Sequence, residues 1–192
     1  MRIVPLDPAL HDRGTFTCGN TRADAFLKTT AAQAARYLKS ATFVLLRTDA
    51  EQTIVGFYTL AQHGYRDGEL DDETARVLKV QGLEQIPMIL LGQLGVASDF
   101  QGRGFGGFLL KDALTRSVSI AQEIGAVAVV TDPYDDPARD FYAKYGFGIL
   151  HEGPFRRMML PMRTLARAMA GKHRHDRDVR EVTPLRPEKH PL

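Results

Sequence analysis

The sequence predicts a single α/β domain, on three observations. Residues 88–97 form a nearly continuous apolar run, as expected of a strand in a sheet interior. Phe105–Ile124 has a helical pattern closed by Gly125, a residue suited to a C-cap. Between them lies Gln101-Gly102-Arg103-Gly104-Phe105-Gly106-Gly107. A glycine-rich turn from strand into helix bares backbone N–H groups at the positive end of the helix dipole, an arrangement that holds phosphate oxygens.

The remaining elements follow in order. Asn20 or Thr21 caps a helix reaching to about Lys39. Residues 42–47 and 54–62 read as strands joined by the polar, hairpin-sized stretch 48–52. Residues 71–80 read as a short helix, which Pro87 prevents from running into Met88. Residues 126–131 are a short buried strand broken by Pro133, and Pro137 opens a helix that ends at Gly146. Residues 147–150 and 156–160 form a final hairpin, followed by a short helix over 163–170. The domain thus covers 1–170. The charged tail 171–192 contains Pro184, Pro187 and Pro191 and is expected to be disordered.

Composition narrows the class. At 192 residues and 44% hydrophobic, the chain suits one domain with a real core. No apolar run approaches the roughly 18 residues needed to span a membrane. The beginning of the chain lacks the apolar stretch of a signal peptide, and the single Cys18 rules out an internal disulfide, so a cytoplasmic protein is expected. The net charge of +2 equals that of the tail, so residues 1–170 are neutral overall and any basic patch there is local.

Gly102, Gly104 and Gly107 also satisfy the dinucleotide-binding pattern G-x-G-x-x-G. Their mid-chain position, and the lack of an acidic residue ending a strand about 20 residues on, argue against that use. An ATP-binding loop is excluded because no Gly-Lys-Ser/Thr follows. The plain alternative is a turn that lets helix and strand pack closely.

A second segment bears on the choice: Ala138-Arg139-Asp140-Phe141-Tyr142-Ala143-Lys144-Tyr145-Gly146-Phe147. The two segments together resemble the Gcn5-related N-acetyltransferases, the GNAT superfamily. Gln101, Gly104 and Gly106 match its Gln/Arg-x-x-Gly-x-Gly/Ala signature. Ala138, Phe141, Tyr142, Gly146 and Phe147 match its closing motif. The resemblance covers about residues 1–162. It implies a mixed, mostly antiparallel sheet, splayed at an acetyl-CoA site and flanked by helices. It also implies that backbone N–H groups from Gln101 through Gly102, Arg103, Gly104, Phe105 and Gly106 to Gly107 cradle the pyrophosphate. Leu94, Gly95 and Val96 would pair with the pantetheine arm. Gly95, in an otherwise apolar strand, fits a local distortion that frees edge amides for an extended ligand.

Acetyl transfer needs a neutral amine, a polarised thioester carbonyl and a proton for the departing thiolate. A backbone N–H near Val96 could act as oxyanion donor. Tyr142 could protonate the sulfur, the role the resemblance gives it; the alternative is that it packs with Phe141, Tyr145 and Phe147. Tyr134 could line the substrate mouth or sit on an exposed turn. His63 and Glu152 are candidate bases only. An aminoacyl α-amine, with a pKa near neutrality, would largely remove the need for one. Cys18 reads as a buried structural cysteine, and His173 and His175 lack spacing-matched partners, so no metal is assigned.

The first third of the chain extends the resemblance to the TacT-like GNAT toxins of bacterial toxin–antitoxin pairs. The stretches are Phe16-Thr17-Cys18-Gly19, Ala25-Phe26-Leu27-Lys28, Ala41-Thr42-Phe43-Val44, Val55-Gly56-Phe57-Tyr58-Thr59-Leu60 and Leu90-Leu91-Gly92-Gln93-Leu94-Gly95-Val96. Such toxins acetylate the amino acid on charged tRNA, are neutralised by a ribbon-helix-helix antitoxin, and often dimerise. One position departs: Gln93-Leu94-Gly95-Val96 stands where these toxins often have Arg-Leu-Ala-Val. Arg22 and Arg36 on the first helix, and Arg156 and Arg157 near the C-terminus, are candidate phosphate contacts; solvated helix faces are the alternative. Two other readings stay open: an acetyltransferase acting on a small-molecule or protein amine, and a non-catalytic acetyl-CoA-binding regulatory module.

Overall fold

A computed structural model of the chain describes residues 1–150 and 156–178, with residues 50, 51 and 171–178 as backbone alone. Seven strands form one sheet in the order β1-β2-β3-β4-β5-β7-β6. They are β1 (Arg2–Pro5), β2 (Ala41–Arg47), β3 (Ala50–Arg66), β4 (Gln85–Val96), β5 (Ala128–Thr131), β6 (Gly148–Ile149) and β7 (Met158–Pro161). All neighbours are antiparallel except β4 and β5, which pair in parallel across the crossover helix. The helices are α1 (Thr21–Ala25), α2 (Ala31–Arg36), α3 (Asp72–Leu78), α4 (Phe105–Ile124), α5 (Asp136–Lys144) and α6 (Met162–Asp178).

Strand β1 was not foreseen. Its four residues end in proline and occupy the sheet edge, where pairing with β2 rather than an internal pattern defines the strand. The predicted first helix is three pieces. Asn20 caps it, its side chain accepting from the N–H groups of Arg22 and Ala23. Residues Phe26–Thr30 then widen into a π turn before α2. The last helix continues eight residues beyond its expected end, to Asp178. The turn of the final hairpin, residues 151–155, and the chain from residue 179 lie outside the described residues.

Alternation along the strands splits the core. On one face α4 and α6 cover Leu45, Val55, Tyr58, Ile89, Leu91 and Val129. The buried Tyr58 hydroxyl donates to Asp112 of α4 at 2.5 Å, and Arg116 binds the same carboxylate at 2.8 Å, clamping α4 to β3. The other face carries two smaller cores. The first helix packs Leu27 and Ala31 on Val44, Leu46 and Phe57. Further along, Leu70, Leu78 and Val80 pack on Ile86, Met88, Ala128 and Val130. The stretch of β3 and β4 between these two cores floors the cavity described next.

Candidate active site

The splay begins at one point. Pairing of β4 with β5 ends at Leu91 opposite Thr131, so the β4 edge from Gly92 onward has no strand partner on that side among the described residues. The register against β3 shifts there too. Thr59 faces Gln93 and Leu60 faces Leu91, which leaves Gly92 as an extra residue. The Thr59 hydroxyl accepts from the Gln93 N–H at 3.0 Å and secures the bulge. The distortion therefore sits at Gly92, not at Gly95, which lies in register opposite Phe57. Gly95 is small for another reason: a Cβ there would come within 3.1 Å of both Cys18 Sγ and Phe57 Cε1.

Past β4 the chain turns through Ser98–Phe100 into the glycine run. Gly102 and Gly104 adopt φ of +73° and +82°, left-handed values that favour glycine. Gly104 is the N-cap of the 20-residue α4. It supplies no side-chain cap, and the first turn carries no acidic residue, so the helix dipole there is uncompensated. The Gln101 side chain, by contrast, is committed inward. Its amide donates to the carbonyls of Val96 at 3.0 Å and Cys18 at 2.9 Å, tying the N-terminal loop to the end of β4. Gly107 accommodates a neighbour: a Cβ there would come within 2.1 Å of Tyr145 Oη.

A cavity of about 1010 Å³ opens along this unpaired edge. Gly92, Gln93, Leu94, Gln101 and Gly106 line one side. Thr59, Ala61 and Leu90 form the floor, and Arg22, Phe26 and Thr30 face it from the first helix and π turn. Thr131, Asp132, Tyr134, Tyr142 and Arg157 complete the wall. Of the predicted site residues, the fold thus brings Leu94, Gln101, Gly106, Arg22, Tyr134, Tyr142 and Arg157 to one cavity. Arg36 and Arg156 are not among its lining residues. Arg103 and Phe105 border a separate depression of about 310 Å³ beside Arg47 and Phe100.

Tyr142 is 7% exposed, with its ring against Phe141 and Phe147. Burial pushes its hydroxyl up to about 12, partly offset by the Thr131 hydroxyl beside it. It therefore stays a neutral phenol at physiological pH. Thr131 is fixed in turn by donating to the Leu91 carbonyl at 3.0 Å. Burial, with help from Asp135, also raises the hydroxyl of the largely exposed Tyr134. Burial pushes the Cys18 thiol up to about 11, the opposite of what a thiolate nucleophile needs.

The C-terminal arginines are not free cations. Arg156 pairs with Asp136. Arg157 Nε and Nη2 each donate to Asp132 at 2.7 Å, while Nη1 lies 2.6 Å from His63 Nε2 and donates to Tyr65 Oη at 3.0 Å. His63 is thereby engaged by Arg157 and is not among the cavity-lining residues; burial, then the Arg157 charge, lowers its pKa. Glu152 lies outside the described residues. Sequence reasoning did not single out Thr131, Asp132 or Phe26 as site residues, because only the strands and helix that carry them bring them to the cavity. Among the described residues no cluster of His, Cys, Asp and Glu could hold a metal ion, and no helix is long and apolar enough to cross a membrane.

A bulged, unpaired strand edge leading to a bare helix N-terminus, with a neutral buried phenol on the same cavity, defines an acyltransferase that works on a phosphate-bearing acyl carrier. The chain belongs to the GNAT acetyltransferase family. The family described as "Acetyltransferase (GNAT) domain" matches residues 39–149. A protein named "Probable toxin TacT" from Sinorhizobium fredii (strain NBRC 101917 / NGR234) is 33% identical over 174 residues, covering 87% of this chain and 94% of its own length. A "tRNA-acetylating toxin" from Mycobacterium tuberculosis (strain ATCC 25618 / H37Rv) is 33% identical over 149 residues, covering 78% of this chain and 86% of its own length. Among solved structures, a tyrosine-to-phenylalanine mutant of KacT superposes with a TM-score of 0.78 at 21% identity, covering 87% of this chain and 98% of that one. AtaT complexed with acetyl-methionyl-tRNAfMet superposes with a TM-score of 0.77 at 23% identity, covering 88% and 98%. These likenesses show a shared fold, and the chain is an N-acetyltransferase.

Proposed function

We propose that this protein is a toxin that transfers acetyl from acetyl-CoA to the α-amine of aminoacyl-tRNA and so blocks translation. The observation that carries this reading is the single cavity that joins the unpaired β4 edge to the Tyr142 phenol and to Arg22 of α1. The 33% identity to a tRNA-acetylating toxin supports the choice of acceptor.

Acetyl-CoA fits the residues present. The pyrophosphate lies at the N–H groups of residues 101–107, where two left-handed glycines and an uncapped helix end favour an anion. The pantetheine arm extends along Leu94, Gly95 and Val96 as an added strand, using edge groups that β5 leaves unpaired. A backbone N–H near Val96 polarises the thioester carbonyl. Tyr142 donates its proton to the departing sulfur. Burial disfavours the phenolate and a thiolate leaving into the same site alike, so proton transfer between them is not penalised by the raised phenol pKa.

Arg22, on the cavity wall, and Arg36, at the end of α2, take RNA phosphates. Tyr134 borders the acceptor. Arg156 contributes to the outer face, with its charge shared with Asp136. The protein acts in the cytoplasm, where charged tRNA is made, and a ribbon-helix-helix antitoxin neutralises it; a solved structure of the AtaT toxin with the C-terminus of its antitoxin AtaR supports such a pairing. A homodimer is the expected assembly. The test is to incubate the protein with labelled acetyl-CoA and charged tRNAs. Label on the aminoacyl group, absent with Tyr142→Phe, is the expected result; no label on any isoacceptor would refute the reading.

A further inference from the structure

The transfer steps above leave one charged pair on the cavity wall without a role. Asp132 follows Thr131, whose hydroxyl flanks the Tyr142 phenol, and both Asp132 and Arg157 line the cavity beside them. The two residues come from different strand ends: Asp132 leaves β5 and Arg157 enters β7. Arg157 holds the carboxylate in bidentate fashion, one N–H to each oxygen. Its third nitrogen is anchored on β3 by His63 and Tyr65. The guanidinium therefore spans from β7 to β3 with its orientation fixed, and it leaves each Asp132 oxygen with lone-pair capacity to spare. A cation whose donors are so committed is poorly placed to seek RNA phosphate.

We propose that Asp132 is a catalytic carboxylate that accepts a hydrogen bond from the acceptor amine, with Arg157 as its positioning residue. As the amine lone pair forms the N–C bond to the thioester carbon, nitrogen becomes formally positive and the carbonyl oxygen negative. A fixed carboxylate at that nitrogen stabilises charge present only as the bond forms, which lowers the barrier rather than tightening ground-state binding. When the C–S bond breaks, Tyr142 protonates sulfur, and the proton shed by nitrogen passes through solvent to restore the phenol. Pairing with Arg157 matters for a second reason. An uncompensated carboxylate would hold the acceptor as unreactive ammonium, whereas a neutral ion pair favours that form less.

The inference rests on a primary amine being the acceptor. The experiment compares wild type, Asp132→Asn, Arg157→Lys and the double variant, as full chains, with labelled acetyl-CoA and charged tRNA. Asp132→Asn is expected to lower kcat roughly 10- to 100-fold with the KM for acetyl-CoA unchanged, the loss of one aimed electrostatic contact. Arg157→Lys, which keeps charge but loses the bidentate grip, is expected to lower kcat several-fold, again at constant KM for acetyl-CoA, and the double variant to be no worse than Asp132→Asn. A purely structural ion pair would shift the melting temperature and leave kcat alone. Wild-type kcat in Asp132→Asn overturns the proposal, as do additive losses in the double variant; if Asp132→Asn fails to fold, wild-type kcat in Arg157→Lys overturns it. A wild-type protein that labels small primary amines but no charged tRNA refutes the aminoacyl reading instead, and the same ratios on that amine then decide the role of Asp132. No acetylation of any amine overturns both.

Discussion

At the scale of single residues, the site depends on a hydroxyl kept neutral and on glycines that leave room. Tyr142→Phe removes the proposed proton donor without changing the ring that packs on Phe141 and Phe147. It is expected to cut kcat by about 10²- to 10⁴-fold, the usual reach of a general acid, while calorimetry finds acetyl-CoA bound as before. Gly107 gives a sharper packing test. Its missing Cβ makes room for Tyr145 Oη, and without that oxygen the next atom, Cζ, is 3.3 Å away. Gly107→Ala is expected to destabilise by about 1–2 kcal/mol in the native background, because the ring must move. In a Tyr145→Phe background it is expected to be neutral or stabilising by up to about 1 kcal/mol, from helix propensity. Melting curves of the four proteins check the change of sign. The Tyr142 motif was legible in the sequence because helix and glycine keep its residues adjacent. The glycine–tyrosine contact was not, because 38 positions separate its partners.

At the scale of elements, the decisive feature is the bulge in β4. Two glycines punctuate this strand, and composition alone made Gly95 the natural site of distortion. The register selects Gly92, because Thr59 on the neighbouring strand supplies an acceptor for the next N–H. Gly95 meets a demand from another part of the chain, the close approach of Cys18. Thr59→Val keeps shape and deletes the acceptor. It is expected to cost about 1–2 kcal/mol and to raise the KM for acetyl-CoA, since the bulge starts the edge proposed to bind that ligand. Urea unfolding and steady-state kinetics measure the two effects. The first helix carries a similar lesson. Its cap and apolar face were readable, but the π turn over Phe26–Thr30 was not, because it arises where helix meets cavity rather than from a periodic pattern.

At the scale of the whole molecule, two histidines link stability to pH. His11 accepts the Asp7 N–H at Nδ1 at 3.0 Å, and His63 Nε2 lies 2.6 Å from an Arg157 nitrogen, so both are held in the neutral form. Burial lowers the pKa of each below 6.5; Arg157 adds to the effect at His63, and Asp7 opposes it at His11. A histidine whose folded pKa is depressed contributes stability that is present above the unfolded pKa and is lost as pH falls through the folded one. The urea midpoint is therefore expected to fall between about pH 7 and about pH 5, and His11→Gln/His63→Gln to flatten that dependence. An unchanged slope in the double variant would refute the assignment.

The sequence by itself determined the fold class, the order of elements from the first helix onward, the glycine-to-helix turn and the motif that carries Tyr142, since each is written in local pattern: strand composition, helix period, turn glycines, a contiguous motif. Only the tertiary structure decided where the sheet opens, that the Gln101 side chain ties two loops together, and that His63, Asp132 and Arg157 form one network. Those features depend on strand register and on crossings between distant segments. The physical reason is range: backbone preference and amphipathic period act over a few residues, whereas bulges, splays and ion pairs are settled by what the rest of the chain brings alongside.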